Sequence, residues 1–383
     1  MRQAMLAPRA LPVNRAGALA AELSIRPYTL QVPESALADL RERLARTRFP
    51  DEPPDAAWSS GTSLDYMREL VTYWRSGFDW RAQEARINRL RQFTARVSGI
   101  ELHFIHEQGR ATGAMPLLLS HGWPGSIVEF LALIPLLTER FTVVAPSLPG
   151  YTLSFTPGQP RFGTEEIAEC FAALMSELGY ERFAVQGGDW GAFIGSRIAA
   201  TYPERVIGLH LNLLAVRRDP KIPASSPEEA EYLRELAHWL KEETGYQAIQ
   251  GTKPQTLAYA LTDSPAGLAA WIAEKFRTWS DGGISRDDML ANISLYWFTG
   301  AIGSSFWPYH ARWHRPWPFE TVSAPTGYAQ FPKEILRPPR SLAAKTYTDI
   351  RRWSVMPRGG HFAALEEPRA LAAEIEAFFA SLR

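Results

Sequence analysis

From Pro116 to Asn212, short apolar runs and helical patterns take turns along the chain, and few folds accommodate that. Pro116 to Ser120 (PLLLS) is apolar up to its last residue, as a strand covered on both faces must be. A helical stretch from Ile127 to Leu137 follows. Next come a strand (Phe141 to Ala145), a helix (Thr164 to Leu178), a strand (Arg182 to Gln186), a helix (Gly191 to Tyr202) and a strand (Val206 to Asn212). This alternation predicts a parallel sheet with helices on both faces. It stops near Ala215. From Pro220 to about Arg315 the pattern is helical and rich in Trp, with no clear strand. Strand signals resume near Pro325, with one strand around Asp349 to Val355. The last helix follows Pro368, which suits a first helical position. The expectation is an α/β core interrupted by a helical block.

The first hundred residues read as helices and loops. Leu37 to Arg48 is a charged amphipathic helix stopped by Pro50 and the Pro53-Pro54 pair, and Leu64 to Trp74 is a second. Phe93 to Val97 and Ile100 to His106 form a predicted hairpin around Ser98-Gly99. The expected division is a flexible leader (1–25), an N-terminal helical meander (26–95), the first part of the core (96–215), a helical lid (216–315) and the second part of the core (316–383). A chain of 383 residues buries a large core without disulfide or metal staples. Forty-one basic and forty-one acidic residues cancel, which gives no general attraction to nucleic acid or anionic membrane. Cys170 is the only cysteine. It excludes an intrachain disulfide and a cysteine-based metal site, and fits a reducing, cytoplasmic compartment. No run reaches the ~18 apolar residues of a membrane span, and Arg2, Arg9 and Arg15 interrupt the start too often for a signal-peptide core. No membrane anchor is expected. The surplus of Trp and Phe permits a homodimer.

The strongest chemical signal is Gly187-Gly188-Asp189-Trp190-Gly191, between a predicted strand and a predicted helix. Small residues at 187 and 191 permit the strained strand–turn–helix of a nucleophile elbow, whose middle position usually holds serine. Here it holds Asp189. Read blandly, Asp189 caps a helix; the strand before and the helix after favour the elbow. A serine attacking an alkyl carbon would leave an ether, which water does not cleave. An aspartate leaves an ester, which water hydrolyses at the carbonyl. Asp189 therefore suits two-step opening of a strained or activated C–O or C–halogen bond. The second step needs a base. His361, in Arg358-Gly359-Gly360-His361-Phe362, lies late in the chain, as the order nucleophile, acid, histidine requires. For the acid that orients it there are two candidates: Glu334, in a Pro-flanked loop, and Asp349, nearer the histidine. His121-Gly122-Trp123-Pro124-Gly125-Ser126 follows PLLLS. Its turn can aim a backbone N–H into the site, so the N–H groups of Trp123 and Trp190 make the natural oxyanion hole.

The stretches HGWPGSIVEF, GGDWG, TGYQAIQGTKPQTLAYALTDSPAGLAAWIAEKF, LYWFTG, PTGYAQFPKE and RGGHFAALEEP, in that order from about Arg26 onward, resemble the epoxide hydrolases of the α/β-hydrolase superfamily. The resemblance is to the microsomal and juvenile-hormone-type family with its N-terminal helical meander. It implies an α/β-hydrolase fold of about eight strands with a helical lid, and hydrolysis of an epoxide to a vicinal diol without cofactor or metal. It implies Asp189 as nucleophile, His361 as base and Glu334 rather than Asp349 as the charge-relay acid. Two lid tyrosines that assist ring opening match Tyr246 and Tyr309, with Tyr296 the nearest competitor for the second. Trp123, Trp190, Tyr246 and Tyr309 are then the substrate-binding residues. A haloalkane dehalogenase uses the same acid–base logic but has no need of two lid tyrosines. A non-catalytic ligand receptor on the same fold is the reading from another class, and intact Asp189, Glu334 and His361 argue against it.

Overall fold

The computed structural model describes residues 25–216, 223–315 and 321–382. The expected leader therefore lies, apart from Ile25, outside the described residues. Among the described residues nine strands form one sheet: β1 (Arg26–Tyr28), β2 (Gln92–Val97), β3 (Ile100–Glu107), β4 (Met115–Ser120), β5 (Phe141–Pro146), β6 (Phe183–Gly187), β7 (Val206–Leu211), β8 (Thr326–Gln330) and β9 (Ile350–Val355). Their spatial order is β1-β2-β3-β5-β4-β6-β7-β8-β9. Pairing from β5 through β4 to β9 is parallel, and β1, β2, β3 and β5 are antiparallel neighbours. Successive residues of a strand face opposite sides. Leu117 and Leu119 accordingly join Val143 and Ala145 in one core, with the C-terminal helix Pro368–Ala380. Leu118 and Val144 join the other core, with the helices Thr164–Glu177 and Asp189–Thr201. This is the α/β-hydrolase fold.

Between β7 and β8 the described chain is helical, from Pro227–Glu242 to Trp307–His314. The N-terminal helices dock on this block as well as on the core. The Trp74 indole donates to Ser294 Oγ at 3.1 Å and the Tyr73 hydroxyl to Asp287 at 2.7 Å, while Arg86 pairs with Asp288. Among the described residues no helix is long and apolar enough to cross a membrane.

The elements differ from expectation where proline or brevity decides. The first helix is Glu34–Ala45, starting after Pro33 rather than at Leu37. The stretch expected as one helix from Ile127 to Leu137 splits into a 3₁₀ turn (Ile127–Phe130) and a short helix (Ile134–Leu137) with Pro135 in its first turn. Pro135 has no N–H to bond back to an earlier turn. The hairpin expected from Phe93 is present, its first strand starting at Gln92, and the segment before it also supplies β1 and a third helix, Trp80–Ile87. β1 is a three-residue strand, too short to show a period. It brings the sheet to nine strands.

Candidate active site

β6 ends at Gly187, and the helix Asp189–Thr201 starts two residues later. Asp189 itself has φ +46°, a region that costs a non-glycine residue about 1–3 kcal/mol. The flanking glycines let the turn close. A Cβ at Gly191 would collide with the Ser120 carbonyl at the end of β4, and one at Gly187 with the Gly191 carbonyl. The tight contact fixes the Asp189 carboxylate at the carboxyl edge of the parallel strands, where open α/β sheets place their ligands.

The loop after β4 approaches that carboxylate. The Trp123 N–H donates to Asp189 Oδ1 at 2.7 Å, and a Cβ at Gly122 would overlap the same carboxylate. The loop is gripped from the helix Arg286–Thr299. Asn292 Nδ2 donates to the Pro124 carbonyl at 2.7 Å and the Tyr296 hydroxyl to the Gly125 carbonyl at 2.8 Å. The Trp123–Pro124 peptide is cis. The second expected oxyanion donor, the Trp190 N–H, makes no hydrogen bond to the carboxylate among the described residues. A resting carboxylate is planar, and the hole is required only when a tetrahedral oxyanion forms.

On the other side of Asp189 stands His361. Its Nε2 is 3.4 Å from Asp189 Oδ2 and its Nδ1 is 2.6 Å from Glu334 Oε1. A carboxylate only accepts, so Nδ1 donates to Glu334 and Nε2 is left toward Asp189. Glu334 follows β8, and its Oε1 also accepts the Ile335 N–H at 2.7 Å. The His361 N–H donates to the Trp279 carbonyl at 2.9 Å, which ties this loop to the lid. Asp349, the runner-up acid, instead accepts from Arg351 Nε at 2.9 Å and does not reach His361. Burial opposes a charged imidazole. The Glu334 and Asp189 charges outweigh burial and hold the His361 pKa well above its ordinary value.

Over Asp189 the lid encloses a cavity of about 620 Å³, lined by Asp189, Trp190, Tyr246 and Tyr309 together with apolar side chains such as Phe193 and Leu213. The Tyr246 ring stacks on Trp123 with centroids 5.4 Å apart, Tyr309 meets Trp190 edge-on at 4.7 Å, and the two tyrosine rings lie 5.7 Å apart. Burial first, and then nearby charge including Asp189, raises both phenol pKa values. Both therefore hold their protons at neutral pH. The Tyr246 oxygen accepts from Gln247 Nε2 at 2.9 Å, so its own proton remains to donate. Tyr296 is directed to Gly125, away from this cavity.

Sequence reasoning brings together Asp189, His361, Glu334, Trp123, Trp190, Tyr246 and Tyr309. It misses the residues that hold them: Trp279, Asn292 and Gln247. It also misses Glu129, which lines a smaller cavity beside Asp189. A carboxylate inside the apolar run Ser-Ile-Val-Glu-Phe was the available signal for Glu129. Asn292 and Trp279 carry none beyond being polar or bulky on lid helices.

Known proteins share this architecture. The family profile described as epoxide hydrolase N terminus matches residues 25–130, and that of the alpha/beta hydrolase fold matches residues 115–290. Epoxide hydrolase 1 of Sus scrofa is 37% identical over 416 residues, covering 95% of this chain and 90% of that protein. The crystal structure of juvenile hormone epoxide hydrolase from the silkworm Bombyx mori superposes with a TM-score of 0.87 at 32% identity, covering 94% of this chain and 95% of that one. The Aspergillus niger epoxide hydrolase structure gives 0.85 at 31% identity, covering 95% and 98%. With an elbow aspartate, a histidine–glutamate pair behind it and relatives of this similarity along nearly its whole length, the chain belongs to the epoxide hydrolases of the α/β-hydrolase fold.

Proposed function

We propose that this epoxide hydrolase works through an ester on Asp189. Asp189 Oδ2 attacks a ring carbon of the epoxide, the C–O ring bond breaks, and the departing oxygen takes a proton from Tyr246 or Tyr309. An alkoxide is a far stronger base than a phenolate, so even phenols raised by burial give up the proton. Water then adds to Asp189 Cγ while His361 Nε2 takes its proton. The oxyanion on Oδ1 is held by the Trp123 N–H and, once tetrahedral, by that of Trp190. Collapse breaks the Cγ–Oδ2 bond and releases the vicinal diol, its oxygen reprotonated from His361, while the second proton of the water, left on the Asp189 carboxyl, returns to the phenolate and restores both carboxylate and phenol. Glu334 orients the imidazole and balances its charge.

The observation that carries this reading is the position of Asp189 between two sets of groups. On one side are the paired phenols in the 620 Å³ cavity, and on the other is the His361–Glu334 pair at 2.6 Å. The electrostatics suit two steps. Esterification removes the Asp189 charge, one of the causes that raise the His361 pKa. Its loss shifts the imidazole toward the free base that the ester needs, while the Glu334 charge still acts to raise the pKa. The largely apolar cavity, of ordinary ligand-site size, selects an apolar epoxide. Cytoplasmic residence, in line with a single buried thiol, and a homodimer belong to the same proposal. Cell fractionation and sedimentation test them.

The mechanism is tested by one turnover in H₂¹⁸O with enzyme in excess over a simple aryl epoxide. Label should enter the protein first, leaving the first diol unlabelled, and His361→Gln should accumulate esterified enzyme by mass. A first diol labelled to the level of the solvent means direct attack by water and removes Asp189 as nucleophile.

A further inference from the structure

Beside the Asp189 carboxylate lies a second, much smaller cavity of about 20 Å³, which shares only Asp189 with the lining of the lid cavity. That is space for the centres of one or two water molecules. Its lining includes Asp189, His361, Glu129, Ser120 and Gln186. It is polar where a void in a core of this kind is ordinarily apolar. Ser120 Oγ and Gln186 Oε1 are buried with no hydrogen-bond partner among the described residues, and both residues are 1% exposed. Unpaired buried polar atoms around a space of this size mark a water site.

Glu129 is built into the site with unusual care. It sits on the 3₁₀ turn Ile127–Phe130, directly after the loop that carries the Trp123 N–H. Its side chain folds back over Gly125, where a Cβ would collide with the carboxyl oxygen Oε1. Glycine at 125 is thus the condition for Glu129 to reach the cavity. The carboxyl makes no hydrogen bond to protein among the described residues. Burial pushes it up to about 8, with the Asp189 charge adding to the rise and His361 opposing it. At pH 7 it is mostly a neutral acid, with one O–H to give and an acceptor oxygen to offer.

We infer that Glu129 is a catalytic residue of the second step, holding the hydrolytic water in the small cavity between His361 Nε2 and the Asp189 carbonyl carbon. The inference rests on the ester mechanism above and deepens it. Water held there occupies a cavity separate from the substrate cavity, so it is in place before the diol leaves. Its oxygen bonds to Asp189 Cγ, its proton passes to His361, and Glu129 fixes its orientation without gaining or losing a proton overall. Glu129 takes no part in ring opening, which occurs on the lid side.

The test separates the two steps in pre-steady-state experiments on the full chain, with wild type, His361→Gln, Glu129→Ala and Glu129→Gln. In Glu129→Ala, ester formation should stay within a few-fold of wild type while ester hydrolysis slows about 10²-fold, the usual effect of losing the position of a reacting group. The esterified protein should then accumulate. Glu129→Gln, neutral and nearly isosteric, keeps a donor and an acceptor for the water and should restore hydrolysis to within about tenfold of wild type. Wild-type hydrolysis in Glu129→Ala, equal slowing of both steps, or no rescue by Gln overturns the inference. If His361→Gln traps no ester, the ester mechanism fails instead. If His361→Gln traps ester and Glu129→Ala does not, the role of Glu129 alone fails.

Discussion

Tyr246 and Tyr309 face the same carboxylate from one cavity, yet they are held differently, and that difference shapes what each substitution should do. Tyr246 stacks on Trp123, lies 4.6 Å under the Lys275 ammonium and accepts a hydrogen bond from Gln247. Gln247 and Tyr309 both ease the approach of its phenol to a phenolate, whereas Trp190 alone does so for Tyr309. Tyr309 is held mainly by ring contacts with Trp190, Trp123 and Tyr246. Tyr246 is accordingly the better proton donor and Tyr309 the better hydrogen-bond partner. Loss of one oxyanion-type donor typically costs ~2.7–4 kcal/mol, or ~10²–10³ in rate. Tyr246→Phe and Tyr309→Phe should each slow ester formation by about this factor, Tyr246→Phe the more, and each should keep measurable activity because one phenol remains. The double variant should nearly abolish ester formation. Hydrolysis of the ester, which relies on His361 and the Trp123 N–H, should change little. Pre-steady-state quench of the three variants measures both steps. A haloalkane, whose leaving group needs no proton, should be nearly indifferent to the same changes if it reacts at all. Wild-type ester formation in the double variant would remove the phenols from the mechanism.

The elements that bear the chemistry were legible in the sequence to the extent that a local pattern encodes them. The elbow shows because glycine is obligatory at 187 and 191, where backbone atoms of neighbouring segments occupy the space of a Cβ. The central strands show because both their faces are buried, which forces a continuous apolar run. β1 has three residues, and β8 (TGYAQ) has neither a β-branched run nor alternation. Gly327 of β8 is there because Phe378 of the last helix packs where its Cβ would be, a long-range reason with no local signature. The helix Arg286–Thr299 illustrates the same limit. It is buried on nearly all sides, so its pattern is not amphipathic, and nothing in it announces that Asn292 and Tyr296 clamp the loop carrying the Trp123 N–H. Tyr296→Phe tests that clamp. It leaves the Gly125 carbonyl without its 2.8 Å partner, and an unsatisfied buried acceptor costs about 1–3 kcal/mol. Stability to denaturant should fall by that amount. Ester hydrolysis should slow, by up to about 10²-fold if the donor shifts by an ångström, while ester formation changes less. Unchanged stability and hydrolysis would show that Asn292 alone fixes the loop. A collapse of ester formation would instead make Tyr296 a proton donor.

At the scale of the whole molecule, the N-terminal helices, the lid and the sheet share a single hydrophobic cluster. Leu40, Met67, Leu70 and Trp74 are buried in one continuous core with Leu118 and Val144 of the sheet and with Ile272 and Ile293 of the lid. A segment attached this way cannot come off without exposing lid and sheet together. The polar contacts at the same junction are of two kinds. Trp74 is 3% exposed and its indole reaches Ser294 on the helix that clamps the active-site loop. Arg43 bonds Asp263 and its carbonyl at the rim, with Asp263 largely in solvent. Area and burial, not the count of ion pairs, should decide which matters. Trp74→Ala removes a large buried ring and should cost about 3–5 kcal/mol, as such truncations do. Arg43→Ala loses two exposed pairs, with Asp39 and Asp263, each worth about 0–1 kcal/mol, and should cost far less. Chemical denaturation followed by both far-ultraviolet circular dichroism and tryptophan fluorescence measures this. Both probes should report one coincident transition, displaced in Trp74→Ala and far less so in Arg43→Ala. Two separated transitions in the wild type would mean that the N-terminal helices are a tethered unit that folds on its own. A small effect of Trp74→Ala with a large one of Arg43→Ala would mean that the junction is held electrostatically at its rim. Either result would remove the reason for treating the three parts as one cooperative body, in which the lid tyrosines are held over Asp189 by packing that begins at the N-terminal helices.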